Sequence, residues 1–293
     1  YSSGDEPHYI MMSDSLIKDR DLNLRNQYED KAAMSRYSAE KVFPHLSASV
    51  NSVNSDSWYS IHTVGLPVLI MLPFKYLGLN GTRIFLTVLQ LSSIVLFYII
   101  LKKYLHDNRR IMLGLILVLS CTFFWQNLSA IMPDLMMVAF FLACILLFGR
   151  KDLLSNLAFV AVGSFGVLLH TKFIVLVAPL YLAHCVVLFK KLGIKKLLAV
   201  LWPSYALIII FVLGYALFMK STYGFYSPSG LYGSNGQLFG ANYYTNTVAI
   251  LFDRVKGLMI YYPIILVSGP YIYFALRNIS SEIKKLNFRK IIN

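Results

Sequence analysis

Charge is scarce in this sequence: 14% of its 293 residues are Asp, Glu, Lys or Arg, 57% are apolar, and the mean hydropathy is +0.60. A soluble domain carries about 25% charged residues, so the scarcity excludes one of ordinary composition and makes lipid the main solvent. Cysteine is scarce too. Cys121, Cys144 and Cys185 lie inside apolar runs with no CxxC spacing and no neighbouring His pair, and they read as packing residues. The sequence lacks GxxxxGK[ST], a helix-opening GxGxxG, HExxH and GxSxG. Nucleotide hydrolysis, soluble cofactor binding, zinc protease and serine hydrolase chemistry are therefore without support. It also lacks internal repeats and low-complexity tracts.

The formal charge of +13 comes from 27 Lys and Arg against 14 Asp and Glu. A nucleic-acid binder would gather its cations into a stripe on a polar helix. Here they fall in short clusters between apolar runs, as cytoplasmic loops do, so no nucleic-acid partner is expected. An aromatic share of 15% suits a chain with several crossings, since amphipathic rings collect where bilayer meets water.

The first 60 residues hold 9 of the 14 acids and read as a water-facing segment with short helices, one of them over Met11 to Lys18. From Ile61 to Leu79 an apolar run is broken by Pro67, Pro73 and Lys75, the pattern of an interfacial or re-entrant helix. Runs suited to a hydrocarbon core follow at Thr82 to Leu101, Ile111 to Asn127, Asp134 to Phe148, Leu153 to Leu169, Phe173 to Phe189, Leu197 to Met219 and Pro263 to Leu276. The expected fold is all-α: a polytopic transmembrane helix bundle with an outer loop carrying short juxtamembrane helices. Residues 1–81 form the non-cytoplasmic catalytic loop and juxtamembrane helix, and residues 82–293 the helical core with an outer lid loop at 220–262. The chain opens on a polar stretch without a signal peptide, so a further transmembrane helix is expected before Tyr1.

Orientation follows from the cations. Lys102, Lys103, Arg109 and Arg110 follow the first span, Arg150 and Lys151 the third, Lys190, Lys191, Lys195 and Lys196 the fifth, and Arg277, Lys284, Lys285, Arg289 and Lys290 the seventh. The positive-inside rule makes these loops cytoplasmic. The acidic N-terminal segment, the Met132-Pro133-Asp134 turn, the His170-Thr171-Lys172 turn and the loop from Lys220 to Tyr262 then share the outer side. That last loop, rich in Gly, Ser, Asn and Tyr, has the composition of a lid and equally of a plain connector.

Four places on the outer side carry candidate chemistry. Asp5 and Glu6 set two carboxylates side by side, where one can take the proton of an attacking hydroxyl. The plain alternative is a solvated helix start, which also favours acids. Asp134 stands at the outer mouth of an apolar helix, as a functional acid or as a cap. His62 is a candidate hydrogen-bond partner of substrate or carboxylate, although a lone His is more often structural. Lys172, Arg254 and Lys256 lie on the side that topology keeps poor in cations; a lipid phosphate would account for them, and so would snorkelling to headgroups.

Gly4-Asp5-Glu6-Pro7-His8-Tyr9 with Asp19 to Asn26, Tyr59 to Pro67, Met132-Pro133-Asp134 and Phe252 to Pro263 together resemble the membrane-embedded glycosyltransferases of the GT-C superfamily, which include protein O-mannosyltransferases and lipid A aminoarabinose transferases. The order and sidedness of these pieces cover nearly the whole chain. The resemblance implies a polyprenyl-phosphate or dolichyl-phosphate sugar donor, an acceptor hydroxyl at the non-cytoplasmic face, Asp5 as base, and Lys172, Arg254 and Lys256 as contacts of the donor phosphate. It implies no nucleotide sugar at the site. No cofactor is assigned, and a divalent metal stays open. A bacterial or archaeal plasma membrane is the expected location, ahead of the endoplasmic reticulum. The sequence departs from the family pattern in having neither the first helix nor the soluble carboxy-terminal domain of many members. Two other classes compete: a lipid or solute transporter, which would place charged or broken helices at mid-membrane, and a non-catalytic membrane assembly subunit.

Overall fold

The structure is a computed structural model that describes residues 4–30, 44–46 and 57–226, all within the unit Tyr1–Ser234. The expected span at Pro263 to Leu276, the cations Arg254 and Lys256, and the lid loop beyond Tyr226 lie outside the described residues. Those described are helical, with no strand among them; an isolated antiparallel bridge pairs Leu46 with Ser60.

Helix α1 (Glu6–Lys18) is buried along residues 6–15, and α2 (Arg25–Glu29) follows a short turn. The long α3 (Gly65–Tyr104) breaks at Gly78 into 65–77 and 79–104. Then come α4 (Asn108–Leu119), α5 (Thr122–Asn127), α6 (Pro133–Leu147) and α7 (Leu153–Leu169). A 3-10 turn (Thr171–Phe173) leads into α8 (Ile174–Tyr223), which breaks at Gly193.

The two breaks have one cause. Gly78 (φ 67°, ψ −165°) and Gly193 (φ 69°, ψ 169°) occupy backbone conformations essentially closed to other residues. At Gly193 the chain doubles back: Tyr181 packs edge-on against Tyr205, and Leu188 clusters with Leu197 and Leu201, so the halves 174–192 and 194–223 lie antiparallel. The expected interfacial helix corresponds to 65–77, and the expected spans at 82–101, 134–148, 153–169, 173–189 and 197–219 each fall on one apolar helix or half-helix.

One span differs. Ile111 to Asn127 is two helices, because the backbone leaves the helical region at Cys121, which is extended (φ −72°, ψ 108°). Asp107 and Asp152 start α4 and α7 as side-chain caps, accepting from Arg109 N (2.9 Å) and Ser155 N (2.8 Å).

Two stretches, Gly65–Tyr104 and Thr171–Tyr223, are long and apolar enough to cross a membrane, and α6 and α7 are shorter apolar helices. Only 17% of the most apolar window in each long stretch is buried inside the protein. Ile84, Val88, Val95, Ile210 and Leu213 all face outward. A helix of a soluble core would be covered instead.

The interior concentrates around α1. Tyr9, Ile10, Met11 and Met12 pack with Leu66, Ile70, Leu86, Ile131, Met136 and Leu169 from α3, α6, α7 and the loop before α6. Full burial of such side chains stabilises by about 1.5–3 kcal/mol each. Ser13 satisfies its hydroxyl on the carbonyls of Tyr9 (2.8 Å) and Pro67 (3.1 Å), which fastens α1 to the start of α3.

Candidate functional site at the N-terminus of the buried helix

One end of the bundle gathers the N-terminus of α1, the loop before α3, the loop before α6 and the turn between α7 and α8. The carboxylate of Glu6 accepts from Ile131 N (2.8 Å), Thr63 donates to the Leu169 carbonyl (2.6 Å), and Tyr59 meets Tyr223 edge-on. Gly65 sits so close to α7 that a Cβ there would come within 2.3 Å of the Leu168 carbonyl carbon. These are the segments for which the cation count predicts a shared side.

The two adjacent acids diverge. Glu6 is turned inward, its side chain 8% exposed, with one oxygen on Ile131 N and the other 3.2 Å from an Arg83 guanidinium nitrogen. Both oxygens are thus engaged in holding α1 against α3 and the loop before α6. Asp5 occupies the capping position of α1 yet makes no side-chain capping bond, and its side chain is 45% exposed. Its Oδ1 stands 3.6 Å from His45 Nδ1 and 3.8 Å from His62 Nε2. Asp5 thus stands at the helix start, open to solvent and without a capping bond, while Glu6 is a structural tie and not part of an exposed acid pair.

Backbone contacts assemble the histidines. The Leu46–Ser60 bridge and the bond from Ile61 N to the His45 carbonyl (3.1 Å) lay residues 44–46 beside the loop that carries His62. That loop is pinned to the turn before α2: Leu24 N donates to the Trp58 carbonyl and Trp58 N to Asn23 Oδ1, each at 2.9 Å. His8, one turn along α1 from Asp5, stacks on His45 with ring centroids 4.0 Å apart and lies 5.4 Å from the His62 ring. Its Nδ1 is 2.6 Å from the Tyr28 hydroxyl.

Burial, reinforced by the neighbouring imidazoles of His45 and His62, pushes His8 down to about 3. Burial likewise takes His62 down to about 4, against the pull of Asp5 and with that of His45 and His170. Burial raises the Tyr28 phenol to about 12. At neutral pH the two imidazoles are uncharged lone-pair donors and the phenol keeps its proton.

The remaining described candidates lie at the same end. Asp134 is exposed in the first turn of α6, whose N-cap position is held by Met132. Lys172 is exposed in the 3-10 turn, where its backbone N–H donates to His170 Nδ1 (3.2 Å). His170 links the groups electrostatically: burial and the Lys172 charge lower its pKa, Asp134 raises it, and it in turn acts on His62. Asp5, His62, Asp134 and Lys172 thus share one electrostatic neighbourhood.

Below Lys172, a cleft of about 190 Å³ with apolar walls opens between α7 and the two halves of α8, lined by Gly163, Val167, Ile174, Ala178, Ile208 and Phe211 among others. His184, buried at the far end of this helix group, has both ring nitrogens occupied, by Gly149 N (2.9 Å) and Asn156 Oδ1 (2.7 Å), and is structural.

Sequence reasoning passed over His8, His45, Tyr28, Arg83 and His170. One clue was available: of the six histidines, His8, His45, His62 and His170 all fall in segments expected on the outer side. Comparison of the chain with protein-family models, with curated proteins and with solved structures finds no match.

Proposed function

We propose that this chain is a multi-pass membrane glycosyltransferase that moves a sugar from a polyprenyl-phosphate or dolichyl-phosphate donor to an acceptor hydroxyl at the non-cytoplasmic face. The observation that carries the proposal is the Asp5 carboxylate: exposed, unused by the helix it heads, and held on a rigid, buried element beside two imidazoles. A general base needs that combination of access and fixed geometry.

In the reaction, the acceptor oxygen attacks the anomeric carbon while its proton passes to Asp5. The bond from that carbon to the donor phosphate breaks, and the electron pair leaves on the phosphate oxygen. Lys172 supports the departing charge at headgroup depth, with Arg254 and Lys256 proposed to join it. Asp134 and His62 border the acceptor side. The apolar cleft that begins at Ile174 gives the donor's hydrocarbon chain a place directly below Lys172.

The bilayer setting rests on the outward apolar faces of 79–104 and of α8 and on the alternation of basic loops. At about 1.5 Å per residue, the 15 residues of α6 and 17 of α7 extend roughly 22 and 26 Å, less than the roughly 30 Å hydrocarbon core. Packing among the longer helices accommodates such a shortfall at modest cost. The experiment is transfer of radiolabelled sugar from synthetic polyprenyl-phosphate donors by the purified chain in proteoliposomes containing a bacterial lipid extract as acceptor source. Donor-dependent labelling is expected, and its absence across mannosyl, glucosyl and aminoarabinosyl donors would overturn the proposal.

A further inference from the structure

We propose that His8, His45 and His62, together with Asp5, form a four-coordinate site for a divalent transition ion, best matched by Zn²⁺. The inference stands on the geometry of these side chains and does not depend on the transferase reading. One ligating atom from each of the three imidazoles lies within 4.8 Å of the other two. Beside that group lies Asp5, whose Oδ1 forms a triangle with His45 Nδ1 and His62 Nε2 with sides of 3.4, 3.6 and 3.8 Å.

Those lengths discriminate between coordination geometries. A tetrahedral ion with bonds of about 2.0–2.1 Å sets its donors about 1.63 bond lengths apart, or roughly 3.3–3.4 Å. An octahedral ion at a similar distance sets adjacent donors only about 1.41 bond lengths apart, or roughly 2.9 Å. The 3.4 Å side matches the wider, four-coordinate spacing, and the sides of 3.6 and 3.8 Å lie nearer to it than to the octahedral one. Imidazole and carboxylate donors without thiolate suit Zn²⁺ over Cu⁺ and over the oxygen-preferring Mg²⁺ and Ca²⁺. The three cysteines play no part: Cys121, Cys144 and Cys185 all lie C-terminal to α3, in or beside α5, α6 and α8.

The surroundings complete the case. A ligating imidazole is generally oriented by a bond from its other nitrogen. The Tyr28 hydroxyl, 2.6 Å from His8 Nδ1, supplies one: a proton on Nδ1 shared with the phenol oxygen leaves Nε2 free for the ion. Asp5 would ligate through Oδ1, leaving Oδ2 toward solvent.

The test uses the full chain in detergent. After chelation and dialysis it is titrated with Zn²⁺ and, separately, Co²⁺, alongside His45→Ala, His62→Ala, Tyr28→Phe and the control His106→Ala. Wild type and His106→Ala should bind one ion per chain and give the intense visible bands of four-coordinate Co²⁺. The two ligand variants should bind at least 100-fold more weakly, and Tyr28→Phe about 10- to 100-fold more weakly. X-ray absorption at the zinc edge of the wild type reads the ligands without any variant, and should show nitrogen and oxygen neighbours with imidazole scattering. Wild-type affinity equal to that of the ligand variants, a weak octahedral Co²⁺ spectrum, or sulfur in the zinc shell would overturn the proposal and leave the imidazoles as polar neighbours of Asp5.

Discussion

At the residue scale, Asp5 and Glu6 show how two neighbouring carboxylates acquire different roles from their environments. Asp5→Asn keeps the shape and removes the base, so sugar transfer should fall by about 100- to 10,000-fold with the melting temperature held. Glu6→Gln removes the charge facing Arg83 and weakens the bond to Ile131 N, and should cost roughly 1.5–3 kcal/mol of stability. Thermal unfolding in detergent separates the two, and the assignment fails if Asp5→Asn is the less stable variant. Lys172→Met should raise the donor concentration needed for half-maximal transfer about tenfold, the loss of one hydrogen bond to a charged group; an unchanged dependence would leave snorkelling as the account of Lys172. Asp5 was legible in the sequence as a candidate, since an acid pair at a helix start is a local pattern. The division of labour was not: it depends on Arg83 and Ile131, 77 and 125 residues from Glu6. The imidazole cluster was hidden for the same reason, as histidines have no periodicity and His45 lies in a polar stretch without a pattern.

At the element scale, five of the six expected spans within the described residues coincide with helices, because long apolar runs fix length and position strongly. The exception, 111–127, is broken by the extended backbone at Cys121, which hydropathy does not register. The reversal between the expected spans 173–189 and 197–219 was legible from the four lysines that separate them; composition did not show that Gly193 makes it within a few residues, while nearby Gly214 sits in a helix with open space around it. Alanine substitution should separate the two. Gly193→Ala forces a Cβ into a backbone region nearly exclusive to glycine and should cost about 1–3 kcal/mol, whereas Gly214→Ala should stabilise by about 0.5–1 kcal/mol through helix propensity. Unfolding temperatures moving the same way for both variants would refute the strained reversal.

At the scale of the whole molecule, every candidate residue that the structure describes lies at one end of the bundle, and the cation count assigns that end to the non-cytoplasmic side. In a background with the three cysteines replaced by serine, a membrane-impermeant thiol reagent applied outside intact cells should label Lys18→Cys and Tyr226→Cys. It should spare Lys103→Cys and Lys151→Cys until the membrane is opened; labelling of all four, or of one from each pair, would break the proposed arrangement. The bond between Glu6 and Ile131 also sets a schedule for biosynthesis. At about 5–20 residues per second, roughly 6–25 s separate the synthesis of the two partners, which lie 125 residues apart. Arg83 arrives first, so the ribosome delivers the clamp on α1 in two instalments. Until the second is made, the first turn of α1 lacks its tie to residue 131, and anything that stalls translation between α3 and α6 leaves Glu6 held by Arg83 alone.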